Sequence, residues 1–348
     1  PIVELTLEYS TEKRAWLEAA IAELAQVEPQ IHVTLVGKGS LESAAAILDG
    51  TDRPVLWSPA DSLIVNLLAA DWQTKTGRPL YPDRGAAAPQ PLLLTPLVFV
   101  VWEERARVLL DAAGGALSWR AIHRAVSSAR GWAGLGGKPG WGFVKLGHTD
   151  PTRSNSGVQA LALMAYERLG TTSGLTVEAL LDPKLQDFVR DVERGVDHFE
   201  ASTGTFMTDM IRFGPSKYDI AVVYESLAIS QLADAQGRWG SLHVYYPPVT
   251  IWSDHPIVLL DAPWVTPAQK AAATTLMTFL RSTPIQRTAV AYGFRPADTT
   301  VPIKAAGETP FSRAAAYGVS PDLPSAVQPP DGAVVRNLMM LWSRLIKR

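Results

Sequence analysis

The chain of 348 residues is 47% hydrophobic and 19% charged, with a formal net charge of −2; this is globular composition with material for more than one core. That balance and a pI near 6.4 exclude a general nucleic-acid binder, which carries a basic face. The absence of cysteine excludes disulfides, Cys-ligated zinc and thiol chemistry and fits either redox compartment. No apolar run reaches the ~18 residues of a membrane span. The first residue is Pro1, so a removed leader stays open, and membrane contact is expected only through such a leader or a partner.

Residues 1–9 alternate Val3, Leu5, Leu7 and Tyr9 against Glu4, Thr6 and Glu8, the period of a half-buried strand. Ser10 or Thr11 can cap the next helix, whose apolar face is Trp16, Leu17, Ala20, Ile21 and Leu24. The pattern continues with a strand at 31–36, a helix at 40–48, a strand at 54–57 and a helix at 61–72. Such alternation predicts a parallel sheet with helices on both faces.

The stretch "LLLTPLVFVVW" (92–102) reads as a long strand interrupted by Pro96. Proline cannot donate to a ladder, so the strand leaves one sheet there or runs along an edge, as a strand crossing between two lobes does. A helix at 119–128, a strand at 141–146, further helices and a strand at 218–224 follow. "HVYYPP" (243–248) is a second crossing candidate, and beyond it lie a strand at 257–260 and a helix at 267–280. The expected fold is therefore α/β and two-lobed, each lobe a mainly parallel sheet flanked by helices. A discontinuous first lobe (1–95 plus 249–348) and an inserted second lobe (96–248) would share a ligand cleft. The proline-rich 319–332 is expected to be irregular, and a final helix at 334–346 ends in the cations Lys347 and Arg348.

Four strand-to-helix joints carry hydroxyls: "GKGSLES" with Ser40 and Ser43, "WSPADS" with Ser58 and Ser62, "TDPTRSNSG" with Ser154 and Ser156, and "VVYES" with Ser226 beside Glu225. In open α/β sheets ligands sit beyond the carboxyl ends of strands. Helices that begin there present unpaired N–H groups and the positive end of a dipole. Gly39 and Gly157 would let a backbone approach a ligand closely. Each serine taken alone is more simply a helix cap; four such joints together point to a polar ligand. In the third joint the helix is expected to start near Ser154, with Ser154 as its cap and Ser156 free to meet a solute.

These same motifs, "LGHTDPTRSNSGVQAL", "YDIAVVYES", "LWSPADS" and "LTPLVFVVW", resemble bacterial extracellular solute-binding proteins. Those are the periplasmic-type receptors of ABC transporters, and the likeness is nearest to the branch of molybdate and sulfate binders. The resemblance implies a two-lobed periplasmic-binding-protein-like fold without enzymatic activity or cofactor. It also implies an extracytoplasmic location, in the periplasm or on the outer face of the membrane, and an ABC permease as partner. By position it implicates Ser40, Ser58, Asp61, Ser62, Thr149, Asp150, Ser154, Ser156, Tyr224 and Glu225 as ligand-binding residues. A related subgroup joins such a module to a von Willebrand A-type domain, and the ending "LMMLWSRLIKR" resembles the segment before it. The acids Glu42, Asp61 and Glu225 depart from an oxyanion site, because carboxylates repel an oxyanion unless protonated or paired, for instance with Lys38 or Arg153. The solute class (oxyanion, sugar, amine or metal) stays open.

Two other functions compete. A serine hydrolase would use Ser154 or Ser156 with His148, although no G-x-S-x-G elbow is present. A protein-interaction module would have kept the fold and lost the ligand. The six histidines show no metal-binding spacing, so no metal site is expected. Tyr245 and Tyr246 are neighbours on a strand and point to opposite faces, which disfavours a paired-phenolate iron site.

Overall fold

The computed structural model describes every residue except Gln236, Ala305, Ala306, Leu323, Lys347 and Arg348. The cations expected to close the last helix, Lys347 and Arg348, thus lie outside the described residues.

Strand β1 (Val3–Tyr9) buries Leu5, Leu7 and Tyr9, as its alternation requires. A short 3₁₀ turn leads into α1 (Arg14–Val27), which buries Trp16, Leu17, Ala20 and Leu24. Then come β2 (Ile31–Gly37), α2 (Ser40–Asp49), β3 (Leu56–Ser58) and α3 (Ser62–Thr76). Helices α2 and α3 stop at Gly50 and Gly77, both at positive φ, where side chains are disfavoured. After β4 (Gln90–Pro91) and β5 (Leu93–Trp102) the chain forms α4 (Glu103–Ala113), α5 (Trp119–Val126), β6 (Leu146–Gly147) and α6 (Asn155–Leu169). It continues through α7 (Pro183–Glu193), α8 (Thr203–Phe213), β7 (Ile220–Tyr224), α9 (Glu225–Gln231), β8 (Leu242–Tyr245), β9 (Trp252–Ser253) and β10 (Pro256–Leu259). The last elements are α10 (Pro267–Leu280), α11 (Thr283–Thr288), β11 (Arg295–Pro296), α12 (Pro310–Ala314) and α13 (Gly332–Ile346).

The chain divides into two compact units. The first comprises Pro1–Thr95 and Ser253–Gly307. Its sheet runs β2-β1-β3-β10-β4, with β1 parallel to β2 and β3, and β10 antiparallel to β3 and β4. Leu5, Leu7, Leu56, Trp57 and Ile257 from the strands pack with Trp16, Leu17, Ile64 and Leu276 from the helices.

The second unit comprises Pro96–Trp252 and the chain from Glu308 onward. Strand β5 changes unit at Pro96: Leu93 and Leu94 pair with β11, whereas Leu97 to Val101 pair with β7 and Phe99 to Trp102 with β8. Because β5 meets both β7 and β8 antiparallel and only β6 joins β7 in parallel, this sheet is mixed rather than mainly parallel. The strand expected at 141–146 shrinks to Leu146–Gly147, after a 3₁₀ turn and Gly142 at φ 70. Such a backbone does not continue a ladder.

Helix α13 packs on α6 and α7 within the second unit, whereas the sequence pattern grouped 249–348 with the first lobe. Its stripe of Val334, Val335, Leu338, Leu341 and Trp342 is buried there, and Trp342 Nε1 donates to Glu193 Oε1 at 3.2 Å. An amphipathic stripe announces that a helix docks, and leaves open on what. Trp342→Ala should cost the second unit ~3–5 kcal/mol, as large buried aromatics do. A lower denaturant midpoint is the expected readout, and an unchanged one would show that α13 adds no stability.

Candidate functional site

In the first unit β1 and β3 run side by side in parallel, with Tyr9 opposite Ser58, so their carboxyl ends and the joints that follow are neighbours. Ser10 N donates to Ser58 O at 3.0 Å. Ser40 Oγ accepts from Ala60 N at 2.9 Å, tying the α2 joint to the α3 joint. Asp61 is the N-cap of α3 and accepts from Leu63 N at 2.9 Å. Ser62 N donates to Asp254 Oδ1 at 2.8 Å, and its hydroxyl donates to the other oxygen of the same carboxylate. Ser253 Oγ and His255 N both donate to Ala60 O. Within this clamp Ser58 is fully buried and its hydroxyl has no partner among the described residues.

A buried lysine completes the first joint. Lys13, fully buried, directs Nζ to Ser10 Oγ at 2.7 Å, to Pro59 O at 3.3 Å and to His255 Nδ1 at 3.0 Å. Burial pulls its pKa down to about 7, against the opposing pull of Glu12 and Asp254. Burial and the neighbouring Lys13 hold His255 well below the ordinary imidazole value. Burial raises Asp254, against the hydrogen bonds it accepts from Ser62. Nearby on β1, Glu8 is 2% exposed; burial first, and the charge of Asp52 second, push its pKa up to about 7. Lys38, considered as a partner for the site acids, pairs instead with Asp52.

In the second unit the motif 148–157 folds back on itself. Asp150 accepts from Thr152 N at 2.8 Å and Thr152 Oγ1 at 2.6 Å, while its backbone oxygen accepts from Arg153 N and Ser154 N. Ser154 stands at the N-cap of α6, but its side chain makes no capping bond, so the expected cap is absent. Ser156 is not free either: its Oγ lies 2.8 Å from Thr149 Oγ1 and 2.6 Å from Thr203 Oγ1, all three buried. The bare Cα of Gly157 leaves room for Thr149 O and Pro151, a contact within the protein, where a ligand approach had been expected. Asn155 Nδ2 donates to Tyr224 Oη at 3.0 Å, and Asn155 Oδ1 has no partner among the described residues. The next residue on that strand-to-helix joint, Glu225, is fully buried and accepts from the Tyr246 hydroxyl, whose oxygen accepts from Ser320 N at 3.1 Å.

His148 is fully buried. Its Nε2 lies 2.8 Å from Glu193 Oε2 and its Nδ1 2.9 Å from Thr149 O. Burial alone pulls its pKa down, but the charge and hydrogen bond of Glu193 outweigh that and raise it. Both ring nitrogens are committed, so the pairing of His148 with Ser154 or Ser156 that a hydrolase needs is not formed.

The structure thus gathers Ser40, Ser58, Asp61 and Ser62 in the first unit, and Thr149, Asp150, Ser154, Ser156, Tyr224 and Glu225 in the second. Sequence reasoning missed Lys13, His255, Asn155 and Thr203. Asn155 stood inside the motif but was passed over for its hydroxyl neighbours; Lys13 and His255 are 242 residues apart in sequence. Among the described residues no group of three or more His, Asp or Glu is placed to hold a metal. No described helix is long and apolar enough to cross a membrane.

The buried pair in the first unit gives opposite pH limbs. The Glu8 pKa is raised from 4.5 to about 7, so its contribution to stability is full below 4.5 and is lost as pH rises through about 7. The Lys13 pKa is lowered from 10.5 to about 7, so its contribution is full above 10.5 and is lost as pH falls through about 7. Urea midpoints should show Glu8→Gln flattening the acid limb and Lys13→Met the alkaline limb. Slopes identical to the parent's in both windows would contradict these assignments.

The sequence matches the family profile of the bacterial extracellular solute-binding proteins over residues 5–295. No curated protein sequence matches it. Solved structures share the fold at low identity. A periplasmic thiamin-binding protein aligns with a TM-score of 0.66 at 12% identity, over 100% of this chain and 97% of that one. AfuA from Actinobacillus pleuropneumoniae, with exogenous fructose-6-phosphate bound, aligns at 0.63 and 15% identity over 99% and 98%. The sulfate-binding protein SubI from Mycobacterium tuberculosis aligns at 0.60 and 16% identity over 93% of each chain. A shared α/β architecture therefore carries different cargoes in these proteins. With the family profile covering most of its length, this chain belongs to the bacterial extracellular solute-binding proteins, the solute-binding receptors of ABC transporters.

Proposed function

We propose that the protein is an extracytoplasmic receptor that binds a small polar solute without transforming it and delivers it to an ABC-type permease. The observation that carries this reading is one repeated in each unit. Near the carboxyl end of a strand, a networked polar joint holds buried polar atoms without a partner among the described residues: Ser58 Oγ, with His255 Nε2 in the same clamp, in the first unit and Asn155 Oδ1 in the second. Native interiors leave few such atoms, because each costs ~1–3 kcal/mol; a solute that completes such a hydrogen bond removes the cost.

In this proposal Ser58, Asn155, Tyr224 and Glu225 touch the solute. Ser40, Asp61, Ser62, Thr149, Asp150, Ser154 and Ser156 hold the joints in shape. The two units, with their boundary at Pro96 and Trp252, act as the two lobes of the receptor. A von Willebrand A-type domain, whose preceding segment the ending "LMMLWSRLIKR" resembles, is proposed as a partner with no part in the site.

A thermal-shift screen over sugars, polyols, amines, amino acids and oxyanions should find a solute that raises the melting temperature by linkage to the bound state. Titration calorimetry should then show Ser58→Ala and Tyr224→Phe each weakening that solute about fivefold to tenfold, as for one lost hydrogen bond. Ser58→Ala should not lower the ligand-free melting temperature and should raise it by the relief of the unmet hydroxyl, since Ser58 Oγ has no partner among the described residues to lose. A variant with full affinity would remove its unit from the site.

A further inference from the structure

The buried acceptor at the start of α6 narrows the class of solute, granted the receptor reading above. Asn155 is 5% exposed and occupies the first position of a 15-residue helix. Its Nδ2 donates to Tyr224 Oη at 3.0 Å, which leaves Oδ1 as the uncommitted atom of the carboxamide, and that buried oxygen has no partner among the described residues. The neighbouring hydroxyls bond within their own cluster, Ser156 Oγ lying 2.8 Å from Thr149 Oγ1 and 2.6 Å from Thr203 Oγ1, and none of these bonds reaches Asn155 Oδ1. One residue beyond Tyr224, the buried Glu225 receives the Tyr246 proton, because the Tyr246 oxygen accepts from Ser320 N. Asn155 Oδ1 therefore presents an acceptor, and the acidic side chain of Glu225 follows one residue beyond its Tyr224 partner.

The first turn of α6 adds amide N–H groups and the positive end of a helix dipole, which suit an oxygen atom. An oxyanion without a proton satisfies those amides but sets lone pairs against Asn155 Oδ1, leaving that oxygen buried and unpartnered, and it meets the carboxylate of Glu225. A hydroxyl group satisfies both demands, accepting from the helix and donating to Asn155. An amine or ammonium satisfies Asn155 and is attracted by Glu225. We propose that the site selects a solute bearing hydroxyl or N–H donors (a polyol, sugar or amine) and rejects oxyanions that have no proton to give. A site built to hydrogen-bond a donor discriminates strongly against analogues that lack it.

The test compares two sets of probes on the parent protein by calorimetry: mannitol, ribose, putrescine and a wider panel of polyols, sugars, amines and amino acids on one side, sulfate and molybdate on the other. A donor-bearing solute should bind at least about 100-fold more tightly than sulfate or molybdate. Asn155→Asp keeps acceptor oxygens at the helix start, where a carboxylate suits the dipole, and should bind that solute within about threefold of the parent, or more tightly if it is an amine. Asn155→Leu should weaken it by about tenfold or more. Three results would overturn the proposal. Tight binding of sulfate or molybdate to the parent would refute the donor requirement while leaving the receptor reading intact. Equal loss in Asn155→Asp and Asn155→Leu would show that Asn155 acts through its N–H. Binding of no probe from either set would remove the receptor reading and this inference with it.

Discussion

Polar joints buried at the ends of strands must find hydrogen-bond partners inside the protein, and both units are organised around that requirement. In the first unit the backbone oxygen of Ala60 is met by Ser253 and His255, its amide by Ser40, and the following amides by Asp61 and Asp254. In the second, Ser156 is bonded to Thr149 of its own motif and to Thr203 of α8. A buried polar group left alone costs more than a made hydrogen bond returns, so such networks rigidify what they complete. Rigid joints around unpartnered polar atoms are what a selective binding site requires.

The first unit meets this demand with an unusual donor. Lys13 has neutral oxygens and an imidazole as its nearest partners, whereas a buried ammonium ordinarily has a carboxylate. The lowered pKa of Lys13 and the still lower one of His255 follow from the same burial. The segment that supplies His255 enters the unit directly after the boundary at Trp252, and His255 itself adopts φ 39, a backbone that non-glycine residues rarely hold. The carbonyl of Ala60, the carboxylate of Asp254 and the amine of Lys13 hold that strained turn against the joint bearing Ser58. Serine hydroxyls at strand ends therefore differ: Ser40 and Ser62 are hydrogen-bonded within the joint, and Ser58 Oγ has no partner among the described residues.

Much of this was legible in the sequence, because its cues are local. Alternation gave β1, and Pro96 in an apolar strand marked where β5 changes unit. The motif at 148–157 was recognisable from its residue types. What was illegible depends on contacts between distant segments. Sequence pattern gives Ser154 the capping role, yet its side chain makes no capping bond and Asp150 satisfies the preceding turn. Ser156 reads as a free hydroxyl until Thr203 arrives from another helix. Lys13 stands in none of the motifs, and only the fold brings His255 to it. Helix α13 shows its apolar stripe plainly, but its seat on α6 and α7 is a tertiary fact.

A reversible receptor and a hydrolase differ in what happens to the molecule they bind. His148, committed to Glu193 and Thr149, is no base for either serine, so binding here should end in release of an unchanged solute. The most direct measurement is a native mass spectrum of ligand-stripped, refolded protein after incubation with a small-molecule extract. The expected result is one small polar molecule per chain, lost on unfolding and recovered chemically unaltered. A spectrum with no adduct, or recovery of a cleaved product, would contradict the receptor account.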